Sequence, residues 1–310
     1  MLYKKLTLFS FAGMLCSLGI MKAQKITVST GTMQRLESFP SKYIDARNID
    51  IWLPKGYSNK VKYAVLYMHD GQMLFDPTST WNKQAWKVDE VAGKLIEEQK
   101  TKPFIIVGIW NNSPNRHPEY FPQKVYKTLS KEEKDFTTKK LIEKARIKSE
   151  FQPVSDNYLK FIVNEVKPYI DSHFSTYTDV SNTYIAGSSM GGLISLYALC
   201  EYPNVFGGAA CLSTHWTGIY QLENNSIPEH INDYLKNNLP SPKNHKIYFD
   251  HGDQTLDALY PTLQDKIDII MKNKGYDTNN WMSKTFHGKD HSENAWHDRF
   301  DIPLLFLLKK

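Results

Sequence analysis

Cysteine is scarce in this chain, three among 310 residues, and that excludes the disulfide-dense scaffolds of small secreted domains. Long uncharged apolar runs are missing too. The one candidate, residues 6–20, is shorter than the roughly 20 residues needed to cross a bilayer, so a membrane-spanning protein is not expected. Nor is there an excess of one sign of charge: 38 basic residues face 33 acidic ones for a formal +5, with no basic arm or stripe of the kind that reads nucleic acid. What the chain does have is 41% hydrophobic and 13% aromatic residues, enough for a sizeable core. One large domain, residues 24–310, is the default expectation.

Lys4 and Lys5 precede the apolar stretch Leu6–Ile20, and Met21, Lys22, Ala23 and Gln24 follow it. This is the pattern of a secretory signal peptide, residues 1–23, cut after Ala23 to give a secreted or periplasmic protein. Cys16 is a poor lipoprotein site, because Gly13, Met14 and Leu15 put a large residue where a small one is wanted. Cleavage leaves Cys200 and Cys211, which read as small buried hydrophobes rather than as a bridge or a thiol nucleophile.

Short strand-like runs alternate with helix-like runs, the pattern of an α/β protein with a mostly parallel sheet covered by helices on both faces. The expected strands are Lys25–Ser29, Arg47–Leu53, Tyr63–Met68, Phe104–Ile109, Thr183–Ala186, Gly208–Leu212, Ile247–Asp250 and Trp281–Phe286. The middle ones are almost wholly apolar, as strands buried on both faces must be. Helical spacing appears in Val88–Ile96, Tyr158–Ile170 and Leu259–Lys274, and an apolar stretch closes the chain at Ile302–Leu308. Residues 113–153 break the alternation with a lysine-rich, strandless stretch. Its charges predict a solvated helical insertion, and its length leaves a lid over a site as the second reading.

Gly187-Ser188-Ser189-Met190-Gly191 follows a predicted strand and opens a predicted helix, which is the context that gives G-x-S-x-G its chemical meaning. A tight strand-to-helix turn would expose the hydroxyl of Ser189 as a nucleophile. The amide of Met190, at the helix start, would then face a developing oxyanion. A serine hydroxyl needs a base and an orienting acid, which in this arrangement follow it in the order acid, then histidine. His291, past the last strand and before the closing helix, is preferred over His287, while His297 reads as helical surface. Asp257, just before a helix, is preferred over Asp253 in the turn nearer the strand. Tyr67-Met68-His69-Asp70-Gly71-Gln72 leaves a strand at a glycine, and the amide of Gln72 is assigned as the second oxyanion donor. Trp81 and Trp216 are candidate walls for substrate. His287 and His291 stand four apart but lack the companion residues of a zinc site, and no metal is expected.

These residues resemble the esterase family of the α/β-hydrolase fold that includes esterase D, enterochelin esterases, and the feruloyl and acetylxylan esterases of carbohydrate esterase family one. The likeness runs from about Ile44 to Leu308. It rests on His69-Asp70-Gly71-Gln72, on Gly187–Gly192, on Leu256-Asp257 with Tyr260 and Gln264, and on Gly288, His291, Glu293 and Trp296. The resemblance implies a serine carboxylesterase with no metal or organic cofactor. It supports Ser189, Asp257 and His291 as the triad; the substrate does not carry over, and a small-molecule or polysaccharide ester is expected, acetyl or feruloyl esters of plant polysaccharide first, with siderophore and small aryl esters as the other candidates. An acyltransferase using the same triad and a noncatalytic sugar-binding protein are the alternatives.

Overall fold

The computed structural model describes residues 27–310, and the expected signal peptide lies outside them. Eight strands form one sheet: β1 (Thr32–Phe39), β2 (Arg47–Leu53), β3 (Ala64–His69), β4 (Phe104–Ile109), β5 (Thr183–Ser188), β6 (Gly208–Leu212), β7 (Lys246–His251) and β8 (Trp281–Thr285). Their order is β1-β2-β4-β3-β5-β6-β7-β8. β2 runs antiparallel to both β1 and β4, and every other pairing is parallel. This is the α/β-hydrolase arrangement.

Helices cover both faces because the central strands are apolar on both. In β3, Val65 and Tyr67 enter one core while Ala64, Leu66 and Met68 enter the other. The smaller core is closed by α1 (Val88–Glu97) and by the C-terminal pair α10 (Glu293–His297) and α11 (Asp301–Leu308). The larger one takes α2 (Arg116–Tyr120), α3 (Gln123–Thr128), α4 (Lys131–Glu143), α5 (Ser155–Phe161), α6 (Lys167–His173), α7 (Met190–Glu201), α8 (Ile227–Asn238) and α9 (Pro261–Asn273). A wide π turn, Ile162–Val166, joins α5 to α6 just before Pro168. Proline lacks an amide N–H to donate and its ring crowds the carbonyl four residues back, so a widened turn lets the helix continue.

Two expectations need correction. Among the described residues the first strand is β1 at Thr32–Phe39; Thr27–Ser29 of the expected strand Lys25–Ser29 are not strand, and its first two residues lie outside the described residues. β1 is a sheet edge with only part of each face covered, so Gln34 and Glu37 face water and the apolar signal is thin. The stretch 113–153 is also more than a solvated excursion. Tyr120, Phe121, Val125, Tyr126, Leu129, Leu141 and Phe151 are all buried in the larger core, while the exposed lysines lie on α3 (Lys124, Lys127), on α4 (Lys131, Lys139) and just after it (Lys144, Lys148). Its first helix is riveted to the sheet by a buried ion pair in which both Nη1 and Nη2 of Arg47 donate to Glu119 at 2.7 Å.

Candidate active site

Parallel strands deliver their following loops to one edge of the sheet, where α/β proteins build their sites. Five such loops matter here: Asp70–Gln72 after β3, Ser189 after β5, Ser213–His215 after β6, Gly252–Asp257 after β7 and Phe286–His291 after β8.

The turn after β5 is tight. Ser189 has φ 57° and ψ −123°, a backbone conformation that costs energy for any residue with a side chain. Three backbone bonds hold it there. Its amide donates to Leu212 O at 2.9 Å, and its carbonyl accepts from the amides of Leu193 and His215, both at 3.1 Å. Gly187 makes the turn possible, because a Cβ there would sit 2.7 Å from the carbonyl carbon of Gly191. From Thr183 to Cys200 every residue is buried except Ser189. The chain therefore presents one hydroxyl to solvent at the head of α7. Met190 opens that helix, and the first amides of a helix lack intrahelical acceptors.

Asp257 is fully buried on a 3-10 turn, Thr255–Leu259, and both its oxygens are occupied. Oδ1 accepts from Nδ1 of His291 at 2.5 Å, while Oδ2 accepts from the Ser213 hydroxyl and the Gly252 amide, each at 2.6 Å. Burial alone pushes this carboxyl upward. The hydrogen bond and charge of His291, with the donors Ser213 and Gly252, outweigh it and hold the carboxyl below its ordinary value. The His291 ring is further fixed by an edge-to-face contact with Trp296, 5.0 Å between centroids. Close approach is required here as well, since a Cβ on Gly252 would lie 2.0 Å from Lys289 O.

Asp253 and His287 pair with each other instead. His287 Nδ1 meets Asp253 Oδ2 at 2.9 Å, with the His287 side chain 86% exposed against 14% for His291. Gln254, His287 and the Gly288 amide together bring Asp253 down to about 2. His297 donates to Trp86 O at 2.8 Å from a half-buried position. Burial pushes His69 and His117 down to about 3 and His215 well below the ordinary value, so all three are neutral at physiological pH. His291 alone of these rings combines partial exposure with a buried carboxylate partner.

The loop after β3 turns at Asp70, which sits at φ 57° and starts the short 3-10 turn Gly71–Met73 carrying Gln72. Asp70 is gripped by Arg116 through two parallel bonds, 2.8 and 2.7 Å, and by Asn111 Nδ2 at 2.7 Å. The Gln72 side chain accepts from the amide of Asn111 at 3.1 Å. The lysine-rich stretch thus reaches the site edge through Arg116, and again through Arg146, whose guanidinium stacks on Tyr220 beside His215.

The two tryptophans part ways. Trp216 is buried to 1% exposure, its indole N–H on Gln264 and its ring against Phe249; it is a core residue and offers no wall to substrate. Trp81 is 84% exposed, and neighbouring Asn82 ties its loop to Glu293 of α10, two residues past His291. Sequence reasoning missed Ser213 and Arg299, whereas Arg116, with Asn111, stands among the residues that pointed to contact between the lysine-rich stretch and the site. Only the position of Ser213, directly after a parallel strand at this edge, could have flagged it.

Residues 42–302 match the family model described as "Putative esterase", and the chain belongs to that family. It is 26% identical over 225 residues to an endo-1,4-beta-xylanase/feruloyl esterase of Xylanibacter ruminicola, covering 68% of this chain and 24% of that one. Among solved structures it resembles the ferulic acid esterase AmCE1/Fae1A of Anaeromyces mucronatus, with TM-score 0.58, 19% identity and 93% of each chain covered. It also resembles the enterobactin esterase FES of Shigella flexneri, with TM-score 0.62, 14% identity, and 91% and 60% of the two chains covered. The chain spans 62%, 59% and 24% of the lengths of three curated relatives it matches.

Proposed function

We propose that this protein is a serine carboxylesterase in which Ser189, His291 and Asp257 form the triad. The observation that carries the reading is the 2.5 Å bond from His291 to the buried Asp257, at the sheet edge where Ser189 is held at φ 57°. Asp257 fixes the tautomer with a proton on Nδ1 of His291, which leaves Nε2 free to take the proton of the Ser189 hydroxyl. The alkoxide attacks the acyl carbon, and the amides of Met190 and Gln72 receive the oxyanion. His291 then protonates the leaving alcohol, an acyl-enzyme remains, and water repeats the sequence to release the acid. Arg116 steadies the Gln72 loop by clamping Asp70.

The family and the feruloyl esterase relative favour acetyl or feruloyl esters of polysaccharide as substrates, with exposed Trp81 as a stacking surface for the sugar or the aryl group. Residues 1–23 act as the export signal for a secreted or periplasmic enzyme. The test is hydrolysis of p-nitrophenyl acetate by the protein and its Ser189→Ala variant, both checked for folding, followed by acetylated and feruloylated xylo-oligosaccharides. Turnover that survives in the variant would sink the triad reading.

A further inference from the structure

Behind the acid stands a hydroxyl whose direction is forced. Ser213 Oγ accepts from Trp296 Nε1 and from Arg299 Nη2, both at 2.9 Å, and donates to Asp257 Oδ2 at 2.6 Å. Indole and guanidinium can only donate, and a serine hydroxyl has one proton and two lone pairs. With both lone pairs filled, the proton has one place to go, Asp257. We propose that Ser213, oriented by Trp296 and Arg299, is a positioning residue that acts through Asp257 to fix the orientation and the basicity of His291.

Two further observations support a dedicated role. Ser213 is fully buried and held at φ 42°, a left-handed conformation costly for serine, with its amide on the Asp250 carbonyl at 2.8 Å. Arg299 is itself buried and shares one nitrogen between Ser213 and Asp250 Oδ1, the latter at 3.0 Å, while Tyr248 donates to the other Asp250 oxygen. A guanidinium is thus locked one hydroxyl away from the triad acid.

The charged and titratable groups around this unit are Asp250 and Tyr248 from β7, Arg299 beyond α10, and Asp257 itself. Tyr260, Trp296 and His215 face the His291 side. With Asp250 and Asp257 ionised and His291 neutral, the cluster carries one net negative charge. Protonating His291 during the reaction brings it to zero, so the site gains charge balance at the moment the imidazolium forms.

The role rests on the triad reading, and the test separates the two. Ser213→Ala, Ser189→Ala and Ser195→Ala are compared for kcat, KM and the pH profile of kcat on p-nitrophenyl acetate, with thermal melting of each. Ser195 is a matched buried serine whose hydroxyl bonds only the Gly191 carbonyl, at 2.7 Å. Without the donated proton, Asp257 carries more negative charge and holds the imidazolium more tightly. Ser213→Ala also removes one of the two donors that fix the Oδ2 side of Asp257, so a misoriented His291 is expected to lower kcat about tenfold or more, while KM stays within about twofold and the acid limb moves to higher pH by about half a unit. Ser213→Cys, a weaker donor of similar volume, falls between and serves if the alanine variant does not fold. An unmoved limb, with a loss no larger than that of Ser195→Ala, overturns the proposal while leaving the triad intact. Activity in Ser189→Ala overturns the triad instead.

Discussion

Asp257→Asn should disable the protein although it changes almost no volume, and the hydrogen bonds say why. The acid accepts three of them: one from His291 on Oδ1, and two, from Ser213 and Gly252, on Oδ2. The Gly252 amide can only donate, and Ser213 is constrained to donate. An asparagine must therefore turn its carbonyl toward that pair and its NH2 toward His291. Flipping it the other way would set NH2 against two donors, at about 1–3 kcal/mol for each buried group left unsatisfied. The NH2 in turn forces Nδ1 of His291 to accept, which puts the ring proton on Nε2, where the proposed triad needs the Ser189 proton to arrive. A wrong tautomer of this kind costs on the order of 10⁴ in kcat in serine hydrolases. Because the block is a tautomer rather than a cavity, Asp257→Asn should be no better than Asp257→Ala. Steady-state turnover of p-nitrophenyl acetate, with circular dichroism to confirm folding, decides it. An asparagine variant with a tenth or more of the parent kcat would refute the reasoning.

Other consequences are open to measurement. The exposed pair Asp253 and His287 should be dispensable, with Asp253→Asn and His287→Gln each keeping turnover within about twofold; a hundredfold loss would mean the wrong acid and base had been chosen. Gly187→Ala would drive a Cβ into the Gly191 backbone, so soluble folded protein should be lost or the elbow inactivated, read by expression and turnover. Glu119→Gln leaves the Arg47 charge buried and half-satisfied and should cost about 3–5 kcal/mol in urea denaturation, a loss under 1 kcal/mol counting against the riveting role. His69 and His117 titrate near 3 in the folded chain and near 6.5 when unfolded. The unfolded state then binds the extra protons, so urea stability should be full above about pH 6.5 and fall as pH drops toward 3. A stability flat from pH 7 to 4 would contradict their neutral burial.

The sheet was legible because its central strands are apolar on both faces, and burial of that kind leaves a plain sequence pattern. β1 was not, since an edge strand with few covered positions looks like any polar segment. The aromatic half of 113–153 was masked by the lysines of α4, which say where one helix faces water and nothing about Tyr120 or Phe151 beneath. At the site, the G-x-S-x-G turn could be read because it joins a strand to a helix and its Gly187 is a steric necessity. The rival acids lie four residues apart in one loop, as do the rival histidines in another, and only the 3-10 turn at Thr255–Leu259 sends Asp257 inward while Asp253 stays out. Trp216 shows the limit of composition, since an indole in a loop near the site is packed beneath it. Ser213 and Arg299 lie 86 residues apart, and nothing local in either signals the other.

The most direct test of the central claim is covalent. The protein is treated with a fluorophosphonate, its intact mass is read, and the modified residue is located by peptide mapping. The account predicts one adduct per chain, on Ser189, abolished by Ser189→Ala and slowed by His291→Ala. Labelling that persists in Ser189→Ala, or an adduct on Ser188 or Ser213, would contradict it.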